Sequence, residues 1–304
     1  MENLISLNVS TSLFPYTNTP ETAIVLLTLI IFILLCFCVF LFFMTAILRV
    51  FFTTPHVREN VHYILFIHML ITDTLYLFCS IFIFISAIYM IYMPVPICFA
   101  VIILASASFV VTPFNLALMS LERYSAICYP LRHKELCTEQ RCNMAMLGMW
   151  GVGVVPVIVE YITMSYMAGK NSVFDNIVCV PPAMFAISST IQNTMQTIKF
   201  FLSLGTVGVV ILFTYIKVML VAFKLGSRSS SAFKAGKTVL LHAFQLLLCM
   251  GSFTYTVTET YLVQYFVFLP IFNFFFLMCL PRFISPVIYG MRDEVFHKGI
   301  RRFF

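Results

Sequence analysis

The stretch Met119–His133, MSLERYSAICYPLRH, ends a long uncharged run in this chain of 304 residues and concentrates charge just beyond it. Glu122 stands directly before Arg123, and Tyr124, an apolar Ala-Ile-Cys and a Pro-Leu turn at Pro130 follow. Basic residues beside a membrane-length segment usually mark only its cytosolic end. An acid, an arginine and a turn in this fixed order indicate more than a stop signal. The stretch therefore predicts a functional inner end of a membrane-spanning helix.

The composition excludes a water-soluble globular protein, because 61% of the residues are hydrophobic, only 10% are charged and the mean hydropathy is +1.00. A membrane-spanning helix needs about 20 mostly apolar residues, since lipid cannot hydrogen-bond the backbone. Seven such segments fit the sequence, with no repeat and no second domain. The predicted fold class is an all-α membrane protein, a seven-helix bundle, with spans near residues 23–48, 61–86, 98–124, 143–166, 194–223, 237–257 and 266–290.

The net charge of +6 is unevenly distributed, and its pattern argues for a membrane protein rather than a nucleic-acid partner. Lysine and arginine cluster in alternate segments between the spans, whereas the intervening segments hold little beyond Lys170. This positive-inside pattern predicts an extracellular N-terminal tail (residues 1–22), a transmembrane domain (residues 23–290) and a cytoplasmic tail (residues 291–304). Asn8 begins an Asn-Val-Ser glycosylation sequon in the outer tail.

The last residues place Phe296, Ile300 and Phe303 at helical spacing, with Lys298 and two arginines around them. This pattern favours a short amphipathic helix in the inner interface, with its apolar face in lipid and its basic face toward anionic headgroups. A frayed basic tail is the alternative.

Several motifs together resemble odorant receptors of the rhodopsin-like G-protein-coupled receptor family. Met119–His133 is similar to the cytoplasmic end of the family's third helix, and Pro286 with Tyr289 matches the Pro-x-x-Tyr of its seventh. The stretches KTVLLHAFQLLL and HYILFIHMLITDTLYL look most like the fish branch. Ser285 stands where asparagine is usual in the seventh helix, and the first span lacks its usual asparagine. The polar network that joins the first, second and seventh helices in the family therefore has fewer members here. The odorant-receptor pattern of the sixth helix is matched by Lys234, Ala235, Thr238 and His242.

The resemblance implies a plasma-membrane receptor that binds a small odorant and activates a stimulatory, olfactory-type heterotrimeric G protein, raising cyclic AMP. It implies no enzyme activity, cofactor or metal. In such receptors the acid Glu122 restrains Arg123 at rest, and activation frees the arginine. The resemblance also implies a disulfide between Cys98 and Cys179. The residues expected to serve G-protein coupling are Glu122, Arg123, Tyr124, Pro130, Leu131, Tyr215, His242, Pro286 and Tyr289.

Lys199 carries most information about the ligand, because it interrupts the outer half of the fifth span. Either the lysine extends its amine to the outer interface, or it is the counter-charge for an anionic ligand. Glu160 and Glu259 could bind an amine, or they are solvated rim charges. The surrounding pocket is expected to be mostly apolar, as small-ligand pockets are, and to include Ile102, Ala105, Ser106, Phe109, Phe253 and Thr256.

Asp73 and Arg282 are charges in the middle of two spans, where an unpaired charge is costly. In the resemblance, Asp73 takes the place of an acid that helps to bind sodium, and Arg282 lines the same cavity. If the two side chains face each other, the guanidinium replaces sodium in an intramembrane ion pair; the alternative is that Asp73 binds sodium.

Three other classes fit the sequence less well. A transporter would show repeats or broken polar helices. An enzyme would need clustered ligands or acid–base groups, whereas His62, His68 and His242 are scattered over different spans. A retinal protein needs a lysine in the last span, and none lies in residues 266–290.

Overall fold

The computed structural model describes residues 20–168, 176–179, 205–221 and 269–292, with the isolated residues 240, 244, 247, 248, 251 and 296. Five helices in this part of the chain are long and apolar enough to cross a membrane. The predicted all-α architecture is therefore confirmed for the described residues. The helices are Pro20–Thr53 (first span), Val61–Ile88 (second), Val95–Cys128 (third), Glu139–Ala168 (fourth), the described part of the fifth, Gly205–Val221, and the seventh, Leu269–Arg292.

The first four spans are longer than the hydropathy pattern predicts. The third helix begins at Val95 with Pro96 in its first turn, where proline is tolerated, and continues past the charged residues to Cys128. Hydropathy marks the depth at which lipid ends, whereas backbone hydrogen bonding continues into the interface. A short helix, Pro55–Arg58, connects the first two spans, and a second, His133–Leu136, lies in the inner loop after the third.

The third span lies at the centre of the described bundle and packs most extensively against the second and fourth. A Cβ atom built on Gly153 would lie 3.0 Å from the backbone oxygen of Ala107, so only glycine allows the third and fourth helices to come this close. Small residues commonly bring membrane helices together in this way. Toward the inner half, fully buried Leu70, Leu116 and Met119 fill the space between neighbouring helices.

The seventh span changes its hydrogen-bonding pattern along its length. An α-helical start, Leu269–Asn273, passes into a π-helix, Phe274–Cys279, before the α-helix resumes as Leu280–Arg292. Phe274 stacks on Phe84 of the second span with ring centroids 4.2 Å apart. The π-helical turn thus lies where the second and seventh spans make aromatic contact.

Two short strands lie at the end of the bundle that the charge distribution predicts to face outward. Strand β1, Tyr92–Pro94, pairs antiparallel with strand β2, Asn176–Val178, and Tyr92 lies opposite Val178. Immediately beyond them, Cys98 and Cys179 form a disulfide with Cα atoms 5.4 Å apart. The disulfide implied by the family resemblance is therefore present.

Of the predicted amphipathic tail, the structure describes Phe296, which is helical. The prediction that its ring faces lipid is wrong. Phe296 is buried, with its ring 5.5 Å from those of Tyr63 and Phe66 at the inner end of the second span. Aromatic packing therefore draws this side chain against the bundle.

Candidate functional site

The inner end of the third span is organised around the buried carboxylate of Glu122, whose side chain is only 4% exposed. Nε of Arg123 lies 3.7 Å from its Oε2 atom, and this arginine side chain is 31% exposed. Adjacent residues lie about 100° apart around a helix, so an aligned hydrogen bond between them is difficult. Consistent with this geometry, Nε of Arg123 has no hydrogen-bond partner within the described part of the chain. Glu122 and Arg123 are therefore in electrostatic contact, but no aligned hydrogen bond holds the arginine in place.

Two histidines from other elements complete this cluster, and the sequence alone did not identify them. Nδ1 of His62, in the first turn of the second span, lies 3.2 Å from Oε2 of Glu122. Nε2 of His133, in the inner-loop helix, lies 3.3 Å from Oε1. We call Glu122, Arg123, His62 and His133 the inner cluster. His62 looked like one of several scattered histidines, because its convergence with His133 depends on how the chain folds back.

The N-terminal cap of the second span positions His62 for its contact with Glu122. The side chain of Asn60 accepts a hydrogen bond of 3.0 Å from the backbone nitrogen of His62, which caps the helix. The positive end of the helix dipole then lies beside the carboxylate of Glu122. The charge of Glu122 is thus compensated by a helix terminus as well as by side chains.

The other residues predicted to serve coupling occupy different environments. The ring of Tyr124 makes edge contacts with Tyr129 and with Phe213 of the fifth span, at 5.8 and 5.6 Å. Leu131 is 95% exposed at the tip of the inner loop, next to exposed Pro130. Tyr215 is half-buried and Pro286 is buried. His242 and the side chain of Tyr289 lie outside the described residues.

Asp73 lies fully buried in the middle of the second span. Thr112 of the third span donates a hydrogen bond of 3.1 Å to its Oδ1 atom, and Ser285 of the seventh span, whose hydroxyl donates to the carbonyl of Pro281, lies beside the carboxylate. The carboxylate thus joins three spans. The other oxygen, Oδ2, has no hydrogen-bond partner among the described residues.

Arg282 shares this cavity with Asp73, but the two side chains make no direct ion pair within 4.0 Å among the described contacts. Nη1 of Arg282 donates a hydrogen bond of 2.7 Å to the carbonyl of Met278. Its guanidinium lies 3.9 Å from the ring centroid of Tyr76 and 5.2 Å from that of Phe109. The guanidinium is attracted to Asp73 over a longer distance, because the planar cation is held by aromatic faces and a carbonyl.

The residues predicted to bind ligand are only partly described. Ile102 and Ala105 are buried about one and two helical turns below the disulfide, whereas Ser106 and Phe109 are half-buried. Phe109 also contacts the guanidinium of Arg282, so the expected floor of the pocket lies directly above a buried cation. Lys199, Phe253, Thr256, Glu160 and Glu259, and also Asn8, lie outside the residues whose side chains are described.

A further polar contact joins the second and fourth spans. Nε1 of Trp150 donates a hydrogen bond of 3.0 Å to Nε2 of His68. The acceptor nitrogen therefore carries no proton in this arrangement. Trp150 is the only tryptophan in the sequence and His68 is one of its scattered histidines, but their pairing requires the packing of the helices.

Known proteins that are similar to this chain are seven-helix receptors. Residues 45–289 match the family described as "7 transmembrane receptor (rhodopsin family)". The chain is 30% identical over 198 residues to Odorant receptor 131-2 of Danio rerio, which covers 62% of this chain and 59% of that protein. It is 24% and 26% identical to the human Olfactory receptors 2T6 and 2D2, over 62% of this chain and 62% and 61% of theirs. The matched region thus spans about three fifths of the length of these relatives.

Proposed function

This chain belongs to the rhodopsin family of seven-transmembrane receptors, and we propose that it is an odorant receptor that raises cyclic AMP through a stimulatory, olfactory-type G protein. The family consists of receptors rather than enzymes, and its members are multi-pass membrane proteins. In the proposed orientation the N-terminus and Asn8 are outside and the tail after residue 290 is cytoplasmic. This orientation rests on the positive-inside distribution of lysine and arginine.

The observation that carries the proposal is the inner cluster beside the exposed Leu131. A fully accessible leucine is costly in water, which fits a side chain that inserts into a partner. Arg123 lies close by, partly exposed and held by a carboxylate without an aligned hydrogen bond. A cation that can be released and an apolar side chain at the loop tip together form a surface suited to G-protein docking.

The proposed mechanism is a population shift. The ligand binds one arrangement of the helices better than the other, and the population moves toward that arrangement by the difference in affinity. In the active arrangement, Arg123 leaves Glu122 and meets Tyr215 and Tyr289, while the G protein contacts Leu131. Pro286 supports movement of the seventh span, because proline removes a backbone hydrogen bond.

We propose that the ligand binds in the outer half of the bundle, above Phe109, and that Lys199 is the counter-charge for an anionic group. The buried guanidinium of Arg282 under Phe109 supports an anionic ligand, since it adds positive potential at the pocket floor.

We also propose that Arg282 makes bound sodium unnecessary. Replacing sodium with choline should then leave ligand affinity unchanged, and a clear sodium dependence would contradict this role.

The experiment that tests the proposed function is a cyclic-AMP assay in cells that co-express an olfactory-type stimulatory G protein. Anionic solutes such as amino acids and bile salts are compared with neutral odorants, for wild type, Lys199→Ala and the matched control Lys170→Ala. We expect anionic compounds to activate wild type and Lys170→Ala, and to lose potency in Lys199→Ala at equal surface expression.

Two other outcomes would change the proposal. Equal activation of all three proteins by neutral odorants would leave the receptor assignment standing and remove the role of Lys199. No response to any compound, together with an unchanged basal signal in Glu122→Gln at full surface expression, would contradict G-protein coupling itself.

A further inference from the structure

Two cationic or potentially cationic groups approach the same carboxylate oxygen in the inner cluster. His62 Nδ1 lies 3.2 Å and Arg123 Nε lies 3.7 Å from Oε2 of Glu122. Neither contact has the full geometry of an aligned hydrogen bond, and neither nitrogen has another hydrogen-bond partner among the described residues. His62 and Arg123 therefore compete for the same oxygen of Glu122. A stronger contact with one of them weakens the contact with the other.

The two competitors differ in their freedom to move. His62 is buried, and the Asn60 cap fixes its backbone in the first helical turn. Arg123 is nearly one third exposed and has a long side chain that can reach the cytosol. If the competition becomes stronger, Arg123 is the group that leaves.

The remaining described groups around Glu122 do not compete for that oxygen. His133, from the inner loop, approaches the opposite oxygen, Oε1, at 3.3 Å. Cys142 of the fourth span is close enough to interact electrostatically with Glu122, but its thiol is a weak donor. Among the described groups, His62 is thus the titratable side chain that shares Oε2 with the arginine.

We infer that His62 is a positioning residue whose protonation displaces Arg123 from Glu122, so that a fall in cytosolic pH raises the basal activity of the receptor. Histidine is the side chain whose charge changes between about pH 5 and 8. A proton on His62 adds a positive charge beside Oε2, which strengthens its attraction to Glu122 and repels the nearby guanidinium. The inference rests on the proposed function, because the released Arg123 is read out by the G protein.

The test measures nucleotide exchange on a purified stimulatory G protein, using membranes that contain the full-length receptor at about pH 7.5 and about pH 6.5. The signal of the G protein alone at each pH is subtracted. We expect acidification to raise basal exchange about twofold in wild type and to have no effect in His62→Gln. The matched control is His56→Gln, because His56 is an exposed histidine at the same inner surface. It should keep the acid response, and so should His133→Gln.

Two results would overturn the inference. If His62→Gln keeps the acid response, the proton acts elsewhere, with Glu122 itself the first candidate. If His133→Gln alone loses the response, the inner loop is the sensor.

A second measurement does not depend on the G protein, which separates failure of this inference from failure of the proposed function. The full chain in lipid nanodiscs is labelled with ¹⁵N in histidine and arginine, and the Arg123 Nε signal is identified by its loss in Arg123→Lys. We expect this signal to shift with the same midpoint as the His62 imidazole, and to stay fixed with pH in His62→Gln. Independent titration of the two signals would contradict the competition even in a receptor that couples normally.

Discussion

The two ends of the third span are fastened by different chemistry. At the outer end, Cys98 is covalently joined to Cys179, beside a pair of hydrogen-bonded strands. At the inner end, Glu122 is held by three side chains at 3.2 to 3.7 Å, without a covalent bond. The difference indicates where the helix can rearrange. We expect the outer end to act as a fixed support and the inner end to carry the reversible change.

Among the changes at the two ends of the third span, removing the disulfide should have the largest effect on stability. Cys98→Ser opens a bridge that spans 81 residues of sequence. Loss of such a disulfide costs about 2 to 5 kcal/mol of unfolding free energy, so we expect little receptor at the cell surface. The measurement is surface labelling of intact cells. Cys38→Ser, which removes an exposed free cysteine from the first span, is the matched control. Normal surface levels of Cys98→Ser would show that the outer end does not need its bridge.

A smaller loss is expected from the packing below that support. Gly153→Ala places a methyl group 3.0 Å from the backbone oxygen of Ala107, which cannot move without shifting a helix. Overpacking of this kind costs about 1 to 3 kcal/mol. Gly151→Ala is the control, since its added methyl group meets nothing within 4 Å. Thermal unfolding in nanodiscs should separate the two variants, and equal melting temperatures would disprove tight packing at Gly153.

Breaking the inner end should change signalling and leave folding intact. Glu122→Gln removes the charge that holds Arg123, so we expect basal G-protein activation to rise about fivefold, the lower range of allosteric coupling energies. Surface expression should stay close to that of wild type. A variant that folds poorly instead would show that the inner cluster is a structural support like the outer bridge.

The smallest expected effect is at the contact between Trp150 and His68. Hydrogen bonds between membrane helices contribute about 0.6 kcal/mol on average. Trp150→Phe, His68→Ala and the double variant form a cycle that isolates this coupling energy from the effects of side-chain size. Thermal unfolding of the four proteins provides the values. A coupling energy near zero would mean that Trp150 acts through its volume alone.

The sequence predicted those features that depend on local order along the chain. Apolar runs of membrane length predicted the described spans, and the family motifs implied the disulfide and the charged inner end of the third helix. These features were accessible because hydropathy and motif spacing are properties of neighbouring residues.

The features that sequence reasoning missed depend on which helix faces meet in space. His62 and Glu122 are 60 positions apart in sequence, and only helix crossing brings them within 3.2 Å. Arg282 was expected to be the counter-ion of Asp73, and the sequence did not show that the faces of Tyr76 and Phe109 hold its guanidinium. Phe296 was expected in lipid, and the rings of the second span bury it. In each case the side chain has several possible partners, and only the packing of the helices decides which of them it contacts.

The π-helical segment Phe274–Cys279 changes how positions along the seventh span should be numbered. A regular α-helix advances about 100° with each residue, and a single π-type turn accommodates an additional residue. Every position after Cys279 is therefore rotated by about one residue relative to an uninterrupted helix that starts at Leu269. The angular phase of Arg282 and Ser285 cannot be extrapolated from the outer end. Comparisons between receptors should accordingly count outward from Pro286, with a one-residue gap allowed in the π-helical segment.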